Sequence, residues 1–484
     1  MIGFLASKRI KNTKDYYVGG KNLGYWVVAF SARATGESAW LLLGLTGLGA
    51  MIGVSAFWVV LGEVIGVSIA WFLMAERFKK LSDKYDSITI PDYLVSRFKS
   101  NSNTLRIVAA TALSLFVTIY VSAQIDATGS AFESFLGWNY FTGAIVGFFI
   151  VLAYIFTGGF VAVAWSDLFQ GLIMLIGLVL LPIVAILSLN SADSVLSGLS
   201  TLDPSLLNIW GDGGFNTMNL ITVIGFMLIG LGFLGSPQLF VRFMSIKDQN
   251  EIKKGRWVAF AFTILTDSCA VLIGLYGRYL LTGIGDSPEE ILGNGAQNVL
   301  PLLVDHLMPL VLIGVYIAAV LSAIMSTIDS LLVVASSAIS RDFYQQIFKP
   351  NKTESQLAKI SQFITLLLAL IALSLAMCVA ILSPDRTIFW FVIFGWAGIA
   401  ATFCPTIILS LFWSKFTEKG AICSMISGFI CVPFFKFYIF NLNEIGVYFE
   451  SLGELPLSFI VAFLVGVFIS ILFPNNVVKE ELKS

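Results

Sequence analysis

The chain has 484 residues, of which 57% are hydrophobic and 12% are charged, and its formal net charge is −1. About a quarter of the residues of a soluble domain are charged, so this composition excludes an ordinary soluble protein and indicates a membrane protein. Near-neutral charge disfavours nucleic acid as a partner, because phosphate binding needs a concentrated basic face. His306 is the only histidine, which leaves no material for a multi-histidine metal site or a Ser-His triad, and we expect no enzyme.

Twelve apolar stretches are each long enough, at about 20 residues, to cross a bilayer as a helix. We number these predicted spans 1 to 12 in chain order: 25–50, 53–76, 105–127, 139–158, 160–189, 217–241, 257–283, 307–338, 356–383, 387–413, 419–440 and 455–474.

Lysine and arginine are concentrated in alternate connections between these spans. Residues 77–99 and 247–256 are rich in them, whereas 190–216 and 279–310 contain none. By the positive-inside rule the basic connections are cytoplasmic. The sequence therefore predicts a multi-pass protein of the plasma (inner) membrane whose C-terminal tail, residues 475–484, is cytoplasmic.

Two spans contain residues that interrupt a helix. Span 1 has Ala-Thr-Gly-Glu-Ser at 34–38, and span 6 has three glycines followed by Ser-Pro within 230–237. Glycine weakens a helix and proline removes a backbone donor. Spans 1 and 6 are corresponding positions of two five-helix halves, and paired broken helices in an inverted repeat point to a transporter's midplane site. The Gly-x-Gly-x-x-Gly run at 230–235 follows no strand, so dinucleotide binding is not expected.

Span 8 carries a polar cluster inside an otherwise apolar stretch. Residues three and four apart share a helix face, so Ala323, Ser326 and Thr327 form one stripe, and Ser326, Asp329 and Ser330 form the adjoining stripe. A carboxylate in a spanning helix is a functional-site hypothesis by default, and oxygen ligands suit a hard cation. We therefore expect this helix to help bind Na⁺. In the alternative interpretation, these hydroxyls only bond to carbonyls of the preceding turn.

The chain resembles the sodium:solute symporter family, and most closely its sodium/proline symporter branch. The resemblance rests on Asp15 to Gly24, Ser38 to Leu42, Ile90 to Tyr93, Thr157 to Gly159 with Asp167 and Gln170, Gly235 to Gln238 with Arg242 to Met244, and Met325 to Thr327.

This resemblance implies an all-α integral membrane protein with a leucine-transporter-like 5+5 inverted repeat. The first repeat would occupy residues 25–190 and the second 217–413, with two additional C-terminal helices at 419–474. Residues 1–24 would be the remnant of a truncated or missing N-terminal helix followed by a cytoplasmic segment, although a naturally short start is the alternative.

The resemblance also implies where sodium would bind. The first Na⁺ site would use the carbonyls of Ala34, Glu37 and Ala323 and the hydroxyls of Ser326 and Thr327. A possible second Na⁺ site would draw on Asp167, Asp329 and Ser330 together with Ser326. Asp329 could instead pair with a basic group or carry a proton, and Asp167 could instead cap a helix or pair with a loop cation.

The solute is expected between the two broken spans and span 3. The candidate substrate residues are Thr35, Ser38, Trp40, Tyr120, Gln124, Asp126, Phe233 and Pro237. Several neighbouring positions depart from the proline branch, including Gly36 and Glu37, so the pocket chemistry differs and proline itself is in doubt.

We therefore predict Na⁺-coupled secondary active symport of a small organic solute, most simply an amino acid or related compound, by alternating access. One alternative is a sugar or another carboxylate or hydroxylated solute, and a different class of alternative is a membrane sensor module or an ion channel. The implied partners are the solute and the lipid bilayer. The sequence leaves the solute, the ion stoichiometry and the oligomeric state open.

Overall fold

The computed structural model describes residues 13–155, 159–189, 192–348 and 354–474. Within these ranges the chain forms helices and one isolated β-bridge, which joins Leu23 to Ile246. Residues 1–12, the tail at 475–484, and Thr157 and Gly158 of one family motif lie outside the described residues. Helices are expected here, because in hydrocarbon each backbone N–H and C=O must find its partner within the segment.

All twelve predicted spans coincide with helices. The first six contain these helical segments: Tyr25–Ala39, Trp40–Leu45 and Thr46–Ile52 in span 1; Phe57–Ile69, Ala70–Met74 and Ala75–Lys84 in span 2; Thr104–Leu136, Tyr140–Ile155 and Gly159–Ser188 in spans 3, 4 and 5; Thr217–Leu228, Ile229–Leu234 and Pro237–Ser245 in span 6. The last six are Gln249–Leu281 in span 7, Leu310–Ser337 with Ala338–Phe348 in span 8, Glu354–Leu382, Ile388–Phe412, Glu418–Phe434 with Phe435–Ile439, and Glu454–Leu472.

Short helices join the spans. They are Thr13–Val18, Gly19–Lys21, Gly53–Ala56, Ile90–Phe98, Ala192–Leu202, Pro204–Leu207, Pro288–Leu292, Asn294–Ala296, Val299–Leu307 and Asn443–Leu452. By length and composition, ten helical segments of the described chain could cross a membrane. The first of them, Tyr25–Lys84, contains spans 1 and 2 together, and the apolar helix of span 4 is shorter than the others.

Spans 1 and 6 are both interrupted, as the sequence predicts. In span 1 the backbone of Ser38 has φ 54° and ψ −166°, a conformation that a residue with a side chain rarely adopts. In span 6 the α-helix tightens into a 3₁₀ helix over Ile229–Leu234, and Gly235 has φ 160° before the inner half begins at Pro237. Each break leaves backbone groups outside a regular helix at the centre of the protein.

Glycines let two pairs of spans touch through their backbones. A Cβ on Gly230 of span 6 would lie 2.0 Å from the carbonyl oxygen of Gly62 in span 2, and a Cβ on Gly62 would lie 2.1 Å from the carbonyl oxygen of Met227. A Cβ on Gly274 of span 7 would lie 2.3 Å from the carbonyl oxygen of Thr46 in span 1. Small residues permit this close approach of membrane helices.

Candidate functional site: oxygens and aromatic rings around two broken helices

The hydroxyls of span 8 lie against the backbone of span 1 just before its break. The Ser326 hydroxyl donates to the carbonyl oxygens of Ala34 and Ala323, each at 3.0 Å. The Thr327 hydroxyl donates to the carbonyl oxygens of Thr35 and Ala323, each at 3.1 Å. Five neutral oxygens from two helices thus lie together in a fully buried place. This donor set fits Na⁺, a hard cation that prefers oxygen ligands.

The expected ligand set and the observed cluster differ at one position. The Glu37 carbonyl, which we expected in the first Na⁺ site, accepts a hydrogen bond from the backbone N–H of Trp40. The carbonyl of Thr35 lies in the cluster instead. Only the hydroxyl-bearing residues leave a signal in the sequence, since any residue can supply a carbonyl.

An arginine lies among the residues of the possible second Na⁺ site. Arg242, in the inner half of span 6, donates to the Asp167 carboxylate at 3.0 Å and to the hydroxyl of Ser330. It also donates to Ser31 at 2.8 Å and to the hydroxyl of Thr35. Asp329 is adjacent, and its carboxylate accepts from the Ser330 hydroxyl at 3.2 Å. The guanidinium therefore supplies a positive charge where a second sodium ion was expected.

The contacts of Asp167 come from residues of spanning helices. Asp167 is fully buried, and besides Arg242 it accepts a hydrogen bond from Ser31 at 2.6 Å. It pairs with a cation of a spanning helix rather than with a loop cation. Thr35, expected to contact solute, also belongs to this network, because its hydroxyl contacts the Ser330 hydroxyl at 2.9 Å and the Ser326 carbonyl at 3.1 Å.

Aromatic rings from spans 3, 6 and 10 adjoin the break in span 1. The Tyr120 hydroxyl donates to the Ser38 hydroxyl at 3.5 Å. The Tyr120 ring is edge-on to the Trp396 ring, with ring centroids 6.3 Å apart. The centroids of the Trp396 and Phe233 rings are 5.0 Å apart. Trp396 was not among the predicted residues. The sequence feature that could have indicated Trp396 is the small-residue pattern Gly-Trp-Ala-Gly in span 10. These small residues let span 10 approach span 3 closely, since a Cβ on Gly395 would lie 2.8 Å from the Tyr120 Cα.

Two buried hydrogen-bond donors near the same break have no partner among the described residues. Gln124 accepts a hydrogen bond from the backbone N–H of Ala39 at 3.0 Å, which fixes its amide beside the break and leaves Nε2 without a partner. The indole Nε1 of Trp40 is also buried and without a partner. Buried polar groups are normally hydrogen-bonded, so these donors could receive acceptor atoms of a ligand.

The structure also locates two other predicted solute residues, Asp126 and Pro237. Asp126 accepts hydrogen bonds from Tyr140 and from Arg386, whose Nε lies at 2.9 Å, and this ion pair ties span 3 to the connection before span 10. Pro237 occupies the first turn of the inner half of span 6, where its fixed φ favours helix initiation.

Comparisons with known proteins identify the family of the chain. The model of the sodium:solute symporter family matches residues 16–428. The chain belongs to the sodium:solute symporter family. It is 35% identical over 429 residues to the high-affinity proline transporter PutP of Bacillus subtilis, covering 88% of each protein. It is 33% identical over 464 residues to the sodium/proline symporter of Escherichia coli, covering 95% of this chain and 90% of that protein.

Solved structures show the same fold. The chain resembles a Na⁺-coupled sialic acid symporter in its substrate-bound outward-open state, with a TM-score of 0.76 at 19% identity over 98% of this chain and 96% of the other. It also resembles MhsT in complex with L-phenylalanine, with a TM-score of 0.56 at 14% identity over 91% and 98%.

This family member is a multi-pass membrane transporter rather than an enzyme, and it couples solute symport to Na⁺. The expected leucine-transporter-like fold class is confirmed.

Proposed function

We propose that this protein carries a small amino acid or a related compound into the cell together with Na⁺. The chain has about a third of its residues in common with proline transporters over most of its length. The inward direction follows from Na⁺ moving into the cell down its gradient, and the orientation of the spans rests on the charge pattern, since basic connections are typical of the cytoplasmic side. The carboxylate of an amino acid is the chemistry that unpartnered donors such as Gln124 Nε2 would recognise.

One observation supports coupling above all others. The oxygens of Ser326 and Thr327 contact carbonyls of residues 34 and 35, and only three residues later Ser38 turns the backbone towards Tyr120 and the aromatic rings. A bound Na⁺ would draw these carbonyls and hydroxyls together. Span 8 and span 1 would then hold the break in one conformation, so solute and ion would each raise the affinity for the other.

The side chains around the break favour a small solute with an apolar part. Tyr120, Phe233 and Trp396 offer ring surfaces, which bury apolar groups well, while Gln124 offers a polar group beside the break. A Cβ on Gly232 would lie 2.1 Å from the Trp396 indole nitrogen, so the Trp396 ring fits at this place only because residue 232 has no side chain.

Uptake by the purified protein in liposomes tests this proposal. An inward Na⁺ gradient is imposed and radiolabelled proline, other neutral amino acids, amino acids with an additional amine, and sugars are offered separately. We expect saturable uptake of at least one amino acid that stops when choline replaces Na⁺. Uptake confined to sugars would contradict the amino acid assignment. A Na⁺ current without any solute would indicate a channel, and binding without flux would indicate a sensor.

A further inference from the structure

Three buried carboxylates from three different spans meet beside the break in span 1. They belong to Glu37 of span 1, Glu63 of span 2 and Asp267 of span 7, and oxygen atoms from all three lie within 4.8 Å of one another. The relative exposures of these residues are 0%, 2% and 0%. None of these side chains contributes to the hydroxyl cluster of span 8 or to the aromatic surface described above.

The cluster carries more negative than positive charge. The Arg33 guanidinium contacts the Glu37 carboxylate and lies 3.3 Å from a carboxylate oxygen of Glu63. The same guanidinium is 4.9 Å from the centroid of the Phe233 ring. Among the residues that the structure describes, no second lysine or arginine forms an ion pair with these carboxylates. With all three ionised, the site has an excess of two negative charges, which a low-dielectric interior strongly disfavours.

The hydrogen bonds leave part of the cluster unsatisfied. Asp267 accepts from the Thr266 hydroxyl at 3.0 Å through one oxygen, and its other oxygen has no hydrogen-bond partner, whereas the Glu37 carboxylate is held by its ion pair with Arg33. An unpaired buried carboxylate is costly unless a cation compensates it.

We propose that Glu37, Glu63 and Asp267 form a binding site for an inorganic cation, and that this cation is a second Na⁺. The inference rests on the proposed Na⁺ symport. Three oxygens no more than 4.8 Å apart share a centre at most about 2.8 Å from each of them, close to the 2.3–2.6 Å typical of oxygen-ligated Ca²⁺, whose ionic radius is close to that of Na⁺. This spacing suits a single ion and leaves no room for an organic group.

The position of the site explains how a second ion would take part in transport. Glu37 directly precedes Ser38, where span 1 breaks, so a cation held there would fix the break from the side of spans 2 and 7. The Ser326 and Thr327 hydroxyls contact the same segment from span 8.

Counting bound sodium on the full-length purified protein tests this inference. Equilibrium binding of radioactive Na⁺ is measured for the wild type, Asp267→Asn, Glu63→Gln and Thr327→Ala, with thermal unfolding in choline as the check on folding. Asp305→Asn is the matched control, because Asp305 is an exposed aspartate that belongs to neither proposed site. We expect two ions per wild-type and Asp305→Asn protein, and one ion for each of the other variants.

Specific outcomes would overturn the second site. Two ions bound by folded Asp267→Asn and Glu63→Gln would show that the carboxylates are not ligands. One ion on the wild type, lost in Thr327→Ala, would remove the second site while leaving the proposed symport intact. Binding of radioactive Ca²⁺ in Na⁺-free buffer, one ion per protein and abolished by Asp267→Asn, would assign the cluster to a divalent cation instead of Na⁺.

Discussion

Two polar sites on span 8 lie within one helical turn of each other and have opposite electrostatic characters. Around Thr327 the oxygens are neutral, and no charged side chain is hydrogen-bonded to the Ser326 or Thr327 hydroxyl in the contacts described. Around Ser330 the oxygens include the Asp167 carboxylate, and Arg242 already neutralises it. A neutral oxygen cluster must take its cation from solution, whereas the neighbouring site holds a cation of the protein itself. Similar hydroxyls on one helix thus serve different purposes, and the difference lies in their partners from other spans.

Replacing Arg242, the buried arginine that pairs with Asp167, should have the largest effect. In Arg242→Met the Asp167 carboxylate loses its buried partner, which costs about 3–5 kcal/mol. We expect a lower unfolding temperature in choline and a larger stabilisation by Na⁺ than in the wild type, because an ion can then compensate Asp167. Thermal unfolding of the purified variant with and without Na⁺ measures both.

A second substitution controls for simple misfolding of Arg242→Met. Arg242→Met combined with Asp167→Asn removes both charges, so most of the lost stability should return, since replacing a buried ion pair with neutral groups is often tolerated. If the single variant unfolded at the wild-type temperature in choline, the contrast between the two sites would be wrong.

Removing a hydroxyl from the neutral cluster should have an intermediate effect. Thr327→Ala takes away one of five oxygens, and we expect the Na⁺ concentration for half-maximal uptake to rise roughly tenfold, which corresponds to about 1.4 kcal/mol. Uptake is measured across a range of Na⁺ concentrations at saturating solute.

Thr365→Ala is the matched control for this substitution. Thr365 is a buried threonine of span 9 whose described hydrogen bond goes to the carbonyl of Ser361 in the preceding turn, at 2.9 Å. It should keep the wild-type Na⁺ dependence. Equal Na⁺ dependence of Thr327→Ala and Thr365→Ala would show that the Thr327 hydroxyl does not bind Na⁺ and only donates to the carbonyl of the preceding turn.

The smallest effect is expected for the hydroxyl of Ser330. Ser330→Ala removes one acceptor of Arg242, but Asp167 and Ser31 continue to hold the guanidinium. We expect a stability loss of about 1 kcal/mol, the usual net value of a hydrogen bond, with unchanged Na⁺ dependence of uptake. A tenfold shift in Na⁺ dependence would mean that sodium binds at Ser330 after all.

The sequence was sufficient to predict the framework of the fold. Long apolar stretches located the spans, and the glycines, serine and proline at 34–38 and 230–237 located both interruptions, because these residues weaken helices wherever they occur. The residues Ser326 and Thr327 stood out because hydroxyls on one stripe of an apolar helix are visible as a pattern. Their proximity to Ala34 came from the family resemblance, since 292 residues separate Ser326 from Ala34.

The partners of individual charges could not be predicted in the same way. Arg242 lies 75 residues from Asp167, and Arg386 lies 260 residues from Asp126, and no periodicity connects such positions. Glu63 and Asp267 lie in different spans, and neither was among the residues predicted from the sequence. Only the packing of spans 1, 2 and 7 brings these carboxylates together. This packing includes contacts with backbone carbonyls, and every residue has a carbonyl, so the sequence does not mark them.

The glycine contacts between spans have a consequence for motion. With Gly230 against Gly62, and Gly274 against Thr46, neighbouring backbones interlock with no intervening side chains that could slide or change rotamer. Spans 2 and 6 should therefore travel as one rigid unit, and spans 1 and 7 as another. Rearrangement during a transport cycle would then concentrate where span 1 meets span 8 through hydroxyl–carbonyl contacts, which an arriving or departing ion can make and break.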